Sequence, residues 1–227
     1  MDITKHVAEI EEFMGRDFGE KPTIEPLTIE NALRVYTQLF PDGSAEANIV
    51  SAEGDVDDSK SVYYYTPHII LFTENADSQT VAHELTHAYT RNHWPKIFGK
   101  QETEEKRLSR KLLIEGLAEY VSIKTNPSDK DYGEFLLKHA HKPYFNKFTW
   151  QHLASAIEEI RGLVFDDRDG TPRVCYALGS LVVASVLEEA KDKHAAFELL
   201  VKNVPPRISA LTGLIEPDHY TVFIEKK

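Results

Sequence analysis

Residues 78–93 read Ser-Gln-Thr-Val-Ala-His-Glu-Leu-Thr-His-Ala-Tyr-Thr-Arg-Asn-His. Val81, Leu85 and Ala88 recur at the three- and four-residue spacing of an apolar helix face. Asn75, Asp77 or Ser78 can cap the start of that helix, and Pro95 and Gly99 end the region. His83, Glu84 and His87 complete an H-E-x-x-H pattern on it. Helical residues four apart lie about 40° apart around the axis and about 6 Å apart along it. The two imidazoles therefore point the same way and can share one metal ion. Glu84 lies between them around the axis, placed to take a proton from a water at the metal, while Leu85 faces away into a core.

A catalytic zinc wants three protein ligands and one open position. Two residues are candidates for the third ligand. His93 completes H-E-x-x-H-x-x-x-x-x-H, the metzincin spacing, but it sits about 80° round and about 15 Å further along a continuous helix. The chain would have to leave the helix, and Thr90 stands where metzincins have glycine for that exit. Their downstream methionine is also missing, since Met1 and Met14 both precede the motif. The other candidate is Glu115, in Leu-Ile-Glu-Gly-Leu-Ala-Glu-Tyr at 113–120. A glycine inside a helix costs about 1 kcal/mol relative to alanine. Gly116, beside Glu115, makes sense if two helix backbones approach closely there.

H-E-x-x-H followed by E-G-x-A-x-Y at 115–120 and by Y-x-x-G at 176–179 resembles the gluzincin zinc metallopeptidases, over roughly residues 61–190. The resemblance implies a zincin fold, one Zn2+ per chain, and Glu115 as third ligand beside His83 and His87. It further implies that Glu119, one turn on, orients a zinc histidine, as in thermolysin-like relatives. Tyr176 would stabilise the oxyanion, as in aminopeptidase N-like enzymes, with His219 and Tyr220 as alternatives. Glu84 would be the general base, passing the water proton to the leaving amine. Substrate would lie along a sheet edge formed by Ile70, Leu71 and Phe72. The G-x-M-E-N motif that anchors a substrate amino terminus in aminopeptidase N-like enzymes is absent, and Glu74 is the nearest acid before His83. Endopeptidase or processing activity on a peptide or protein is therefore expected. The rivals are a catalytically inactive zinc-bound module acting in binding or regulation, and a metal-free helical interaction protein. A peptide deformylase would need a cysteine ligand upstream, whereas Cys175 lies far downstream.

The rest of the chain supplies the setting. Residues 3–15 read as an amphipathic helix, 23–27 as a strand, and Thr28 caps a helix through Phe40. Residues 46–52 read as a strand followed by an acidic turn at 54–58. Ser61–Tyr65 and Ile69–Phe72 read as strands, the former with an aromatic face. Helices are expected at 103–125, 131–141, 150–161, 174–190 and 192–201. The fold class is thus α+β and zincin-like: an N-terminal lobe (1–100) with a small mixed sheet and the active-site helix, and a mostly helical C-terminal lobe (101–227), one catalytic domain overall. The 37 acidic against 26 basic residues give a net charge of −11. That balance disfavours nucleic acid and anionic membranes as partners. The single cysteine fits a reducing compartment, and the N-terminus has no signal-peptide pattern, so a cytoplasmic location is expected. Asp166–Gly170 lacks a calcium-loop register and reads as a solvated turn. Residues 1–20, amphipathic in part, are a candidate inhibitory segment.

Overall fold

The computed structural model describes residues 2–58, 61–98 and 104–126, and then 179–203 except 181, 185 and 189. Val7, Ile10 and Met14 form the buried stripe of α1 (Thr4–Met14). This helix stops at Gly15, whose φ of 71° gives the left-handed turn that lets its N–H reach the Glu11 carbonyl. Strand β1 (Thr23–Pro26) follows, then α2 (Ile29–Leu39), whose first turn is capped by Thr28 Oγ1 accepting from the Asn31 N–H at 3.2 Å.

Residues 46–52 are not the expected strand, nor is 54–58 a turn: both belong to α3 (Ala45–Asp58). Ser44 Oγ accepts from the Ala47 N–H at 3.1 Å and starts the helix. Asn48 and Ala52, one turn apart, are buried, while the β-branched pair Ile49 and Val50 that suggested a strand is exposed, at 39% and 67%. Side-chain chemistry pointed to a strand, and packing of the small residues decided for a helix.

The sheet is three-stranded in the order β1-β3-β2, with β2 at Ser61–Tyr64 and β3 at Ile69–Phe72. β3 runs parallel to β1 and antiparallel to β2, pairing Thr23 with Ile69 and Ser61 with Phe72. Ile70, Leu71 and Phe72 therefore do not form a sheet edge; they are the central strand. A run of four apolar residues is what a strand covered on both faces requires. Ile70 and Phe72 face one hydrophobic cluster, and Ile69 and Leu71 face the other with α2 and α3.

α4 (Ser78–His93) leads through a 3-10 turn (Pro95–Phe98) to α5 (Glu104–Thr125), which packs along it. The described residues 179–180, 182–184 and 186–187 are helical, and α6 (Lys193–Lys202) follows. The close approach expected at Gly116 is present: a Cβ there would lie 2.2 Å from the Gly179 carbonyl carbon, and one at Gly179 would lie 2.2 Å from the Leu112 carbonyl oxygen. One hydrophobic cluster joins α1, β3, α4, α5, Leu187 and Phe197, so elements before and after residue 100 share a core. The architecture is mixed α+β, mostly helical with one small sheet. Among the described residues no helix is long and apolar enough to cross a membrane. The helices expected at 131–141 and 150–161, and Tyr176, His219 and Tyr220, lie outside the described residues.

Candidate metal centre

Asp77 settles the cap of α4, its carboxylate accepting from the Thr80 N–H at 2.8 Å. Val81, Leu85 and Ala88 are buried against the core, which fixes the rotation of the helix and turns His83 and His87 toward α5. Their Nε2 atoms are 3.1 Å apart and their rings nearly perpendicular, at 84°. From α5, Glu115 places Oε2 3.5 Å from His83 Nε2 and 3.3 Å from His87 Nε2. Glu119, one turn further, puts Oε2 3.2 Å from His83 Nδ1. His83, His87 and Glu115 each turn one ligand atom into a space where all three lie within 4.8 Å of one another, and together they can hold a metal ion.

Electrostatics favour a cation at that point. Glu115 and Glu119 converge on two largely buried imidazoles, and the Glu84 charge acts on His83 as well. Burial works against a charged His83 ring, but the carboxylates of Glu115 and Glu119 outweigh it and push His83 up to about 10. Burial likewise works against the Glu115 carboxylate, yet the rings of His87 and His83 hold it below the usual carboxylate range. Without a metal, a proton held on His83 offsets part of the carboxylates' negative charge.

Strand β2 contributes side chains whose role its sequence did not signal. Its alternation sends Val62 and Tyr64 to the α2–α3 side, and Ser61 and Tyr63 toward α4. The three tyrosines at 63–65 thus do not share one aromatic face, because consecutive strand residues point to opposite sides. Ser61 Oγ donates to Glu84 Oε1 at 2.8 Å. The Tyr63 ring stacks on the His87 ring, with centroids 6.3 Å apart and planes 9° apart. Tyr63 in turn bonds His68 Nδ1 through its hydroxyl at 2.8 Å, and His68 Nε2 lies 3.1 Å from the Glu20 carbonyl oxygen. That carbonyl can only accept, so Nε2 carries the proton and the Tyr63 hydroxyl donates to Nδ1. Burial pushes the His68 pKa down and keeps the ring neutral. His68 has a φ of 70°, uncommon for a non-glycine residue.

His93, the other candidate third ligand, stays outside the cluster. α4 is continuous through residue 93, so His93 is carried to the far end of the helix. There its Nε2 donates to the Asp17 carbonyl at 2.9 Å, and its ring lies against Tyr89 and His194. Comparison with protein-family models, with curated proteins and with solved structures returned no match.

Proposed function

We propose that the chain is a zinc metallopeptidase of the gluzincin kind with a zincin-like core, one zinc per chain held by His83, His87 and Glu115. The observation that carries this reading is the triangle of donor atoms, with edges of 3.1, 3.3 and 3.5 Å. Ligands placed tetrahedrally at about 2.0–2.1 Å from zinc lie about 3.3–3.4 Å from one another. Two nitrogens and one carboxylate oxygen, with the fourth position left open, also match the donor set of catalytic rather than structural zinc sites.

When bound, zinc polarises a carbonyl and lowers the pKa of water toward about 7. Glu84, next to His83 in sequence and only 9% exposed, is the base that receives the water proton and hands it to the leaving amine. Glu119 holds Nδ1 of His83, so that Nε2 keeps its lone pair for the metal. The strand offered to an extended peptide is β2, not β3: among the described residues its outer side has no strand partner, and Ser61 and Tyr63 bring it alongside the histidine helix. Tyr176 is the proposed oxyanion donor; the contact of Gly179 with Gly116 brings the chain three residues on from Tyr176 past the neighbour of Glu115. The missing amino-terminus anchor favours internal bonds over terminal ones.

Zinc stoichiometry tests the reading, measured on wild type beside Glu115→Ala, His93→Ala and Glu84→Gln, with cleavage of a mixed peptide library run in parallel. One zinc per chain, weakened by Glu115→Ala alone, with cleavage lost in Glu84→Gln, is the expected result. A wild type that takes up no zinc after loading refutes the enzyme. One that binds zinc and cleaves nothing is the inactive zinc-bound module.

A further inference from the structure

We propose that Ser61 is the positioning residue for the general base, holding Glu84 in its working rotamer before substrate arrives. The inference rests on the peptidase reading and adds to it a residue outside both ligand helices. Ser61 Oγ lies 2.8 Å from Glu84 Oε1, and a carboxylate can only accept, so the hydroxyl donates. Among the described residues Ser61 is the one side chain hydrogen-bonded to the Glu84 carboxylate. The bond engages one carboxylate oxygen and leaves the other for a water proton.

The position of Ser61 is set by the fold. It opens β2 and pairs with Phe72 of the central strand. β2 then runs in step with α4: Ser61 meets Glu84, Tyr63 stacks on His87, and the Tyr65 carbonyl accepts from Arg91 Nε at 2.9 Å. Two residues of strand advance about 6.8 Å, and the three and then four residues of helix they match advance about 4.5 and 6 Å, so the three contacts follow one another along both segments. A glutamate side chain has several rotatable bonds to freeze, and freezing them in advance removes that cost from the chemical step. Serine does this with a neutral donor and sets no further charge beside three carboxylates.

Ser61→Ala and Ser61→Thr in the zinc-loaded full chain provide the test. Losing one hydrogen bond to a charged group predicts about a tenfold fall in kcat for Ser61→Ala, with KM and zinc content unchanged and most of the rate restored in Ser61→Thr. A Ser61→Ala enzyme with wild-type kcat, or with its whole loss in KM, overturns the proposal. A second readout needs no activity: the Glu84 carboxyl carbon in glutamate-labelled protein, assigned by its absence in Glu84→Gln. Its resonance should move in Ser61→Ala and stay near the wild-type position in Ser61→Thr. An unmoved resonance in Ser61→Ala shows there is no such bond, whatever the protein cleaves. A wild type that binds zinc yet cleaves no peptide removes the base role itself, and the carboxyl resonance then reports on the contact alone.

Discussion

His83 has both ring nitrogens committed, Nε2 toward Glu115 and Nδ1 toward Glu119, and two measurable consequences follow from that arrangement. Its pKa, pushed up to about 10, means that the metal-free ring is protonated at neutral pH. Zinc must displace that proton, so its apparent affinity should rise with pH toward about 10. Calorimetry in buffers of different ionisation enthalpy should record close to one proton released per zinc at pH 7; buffer-independent heats would refute this. The same shift sets the stability of the metal-free protein. A histidine raised above its ordinary 6.5 contributes stability fully present below that value and lost as pH climbs through about 10. Glu115, held below its ordinary 4.5, contributes stability present above that value and lost as pH falls beneath it. Metal-free Tm should therefore decline from pH 6.5 toward 10, while zinc-loaded protein, with the metal in place of a proton on His83 Nε2, should not follow it. Glu119 acts through the ring it holds, so Glu119→Ala should weaken zinc about 10- to 100-fold by chelator competition. Unchanged affinity would reduce Glu119 to a bystander. Residues of this kind were legible in the sequence because one helix carries them at fixed angles: His83, Glu84 and His87 need only the helical repeat. Glu115 and Glu119 needed a resemblance as well, because nothing local says that α5 crosses α4 at that height.

Two glycines at the scale of elements make opposite demands, and substituting each tells which environment it occupies. Gly116 faces the Gly179 backbone, where a Cβ has 2.2 Å of room. Gly116→Ala must push the helices apart, at a cost of about 1–3 kcal/mol, and it also shifts the adjacent Glu115. Thermal unfolding and zinc titration should therefore worsen together; an alanine tolerated in both would mean the helices do not touch. Gly54 lies inside α3 with nothing within 4 Å of its missing Cβ. Gly54→Ala should therefore stabilise by about 0.5–1 kcal/mol, as a helix-interior replacement does. If 54–58 were the turn that its acidic composition suggests, that gain would not appear. The failure to read α3 has a physical root: Ile49 and Val50 prefer strands, but they face solvent, and Ser44, Asn48 and Ala52 decide the conformation. The misplaced edge strand has another. Ile70, Leu71 and Phe72 precede α4 in sequence, but strand order is set by which faces must be covered, and an all-apolar strand goes to the middle. Ser61, Tyr63 and His68 stayed hidden for a third reason. Ser61 and Tyr63 act across a strand–helix contact between segments more than 20 residues apart, and His68 acts through Tyr63 and the Glu20 carbonyl; no period or spacing encodes these contacts.

The molecule as a whole has a core that does not depend on a metal. Ile10, Leu85, Tyr89, Leu113 and Phe197 are fully buried in a cluster that includes no candidate zinc ligand. A metal that folds its protein, as in small zinc domains, replaces a core the chain is too short to build; at 227 residues this chain has one of its own. Zinc should act on stability only as a ligand of the native state. Binding at about a thousandfold excess over its Kd adds about 4 kcal/mol. In a chain of this size that corresponds to a Tm higher by about 10 °C. Stripping zinc with a chelator should lower Tm by that order and leave the far-ultraviolet circular dichroism of the native helices intact at 25 °C. Glu84→Gln, which keeps all three ligands, should show the same zinc-dependent rise as wild type, and Glu115→Ala should show much less of it. Loss of helical signal on chelation would mean that α4 and α5 are held together by the metal and not by the apolar contacts between them. A Glu115→Ala protein stabilised as strongly as wild type would mean that the ligand set is wrong although the fold is right.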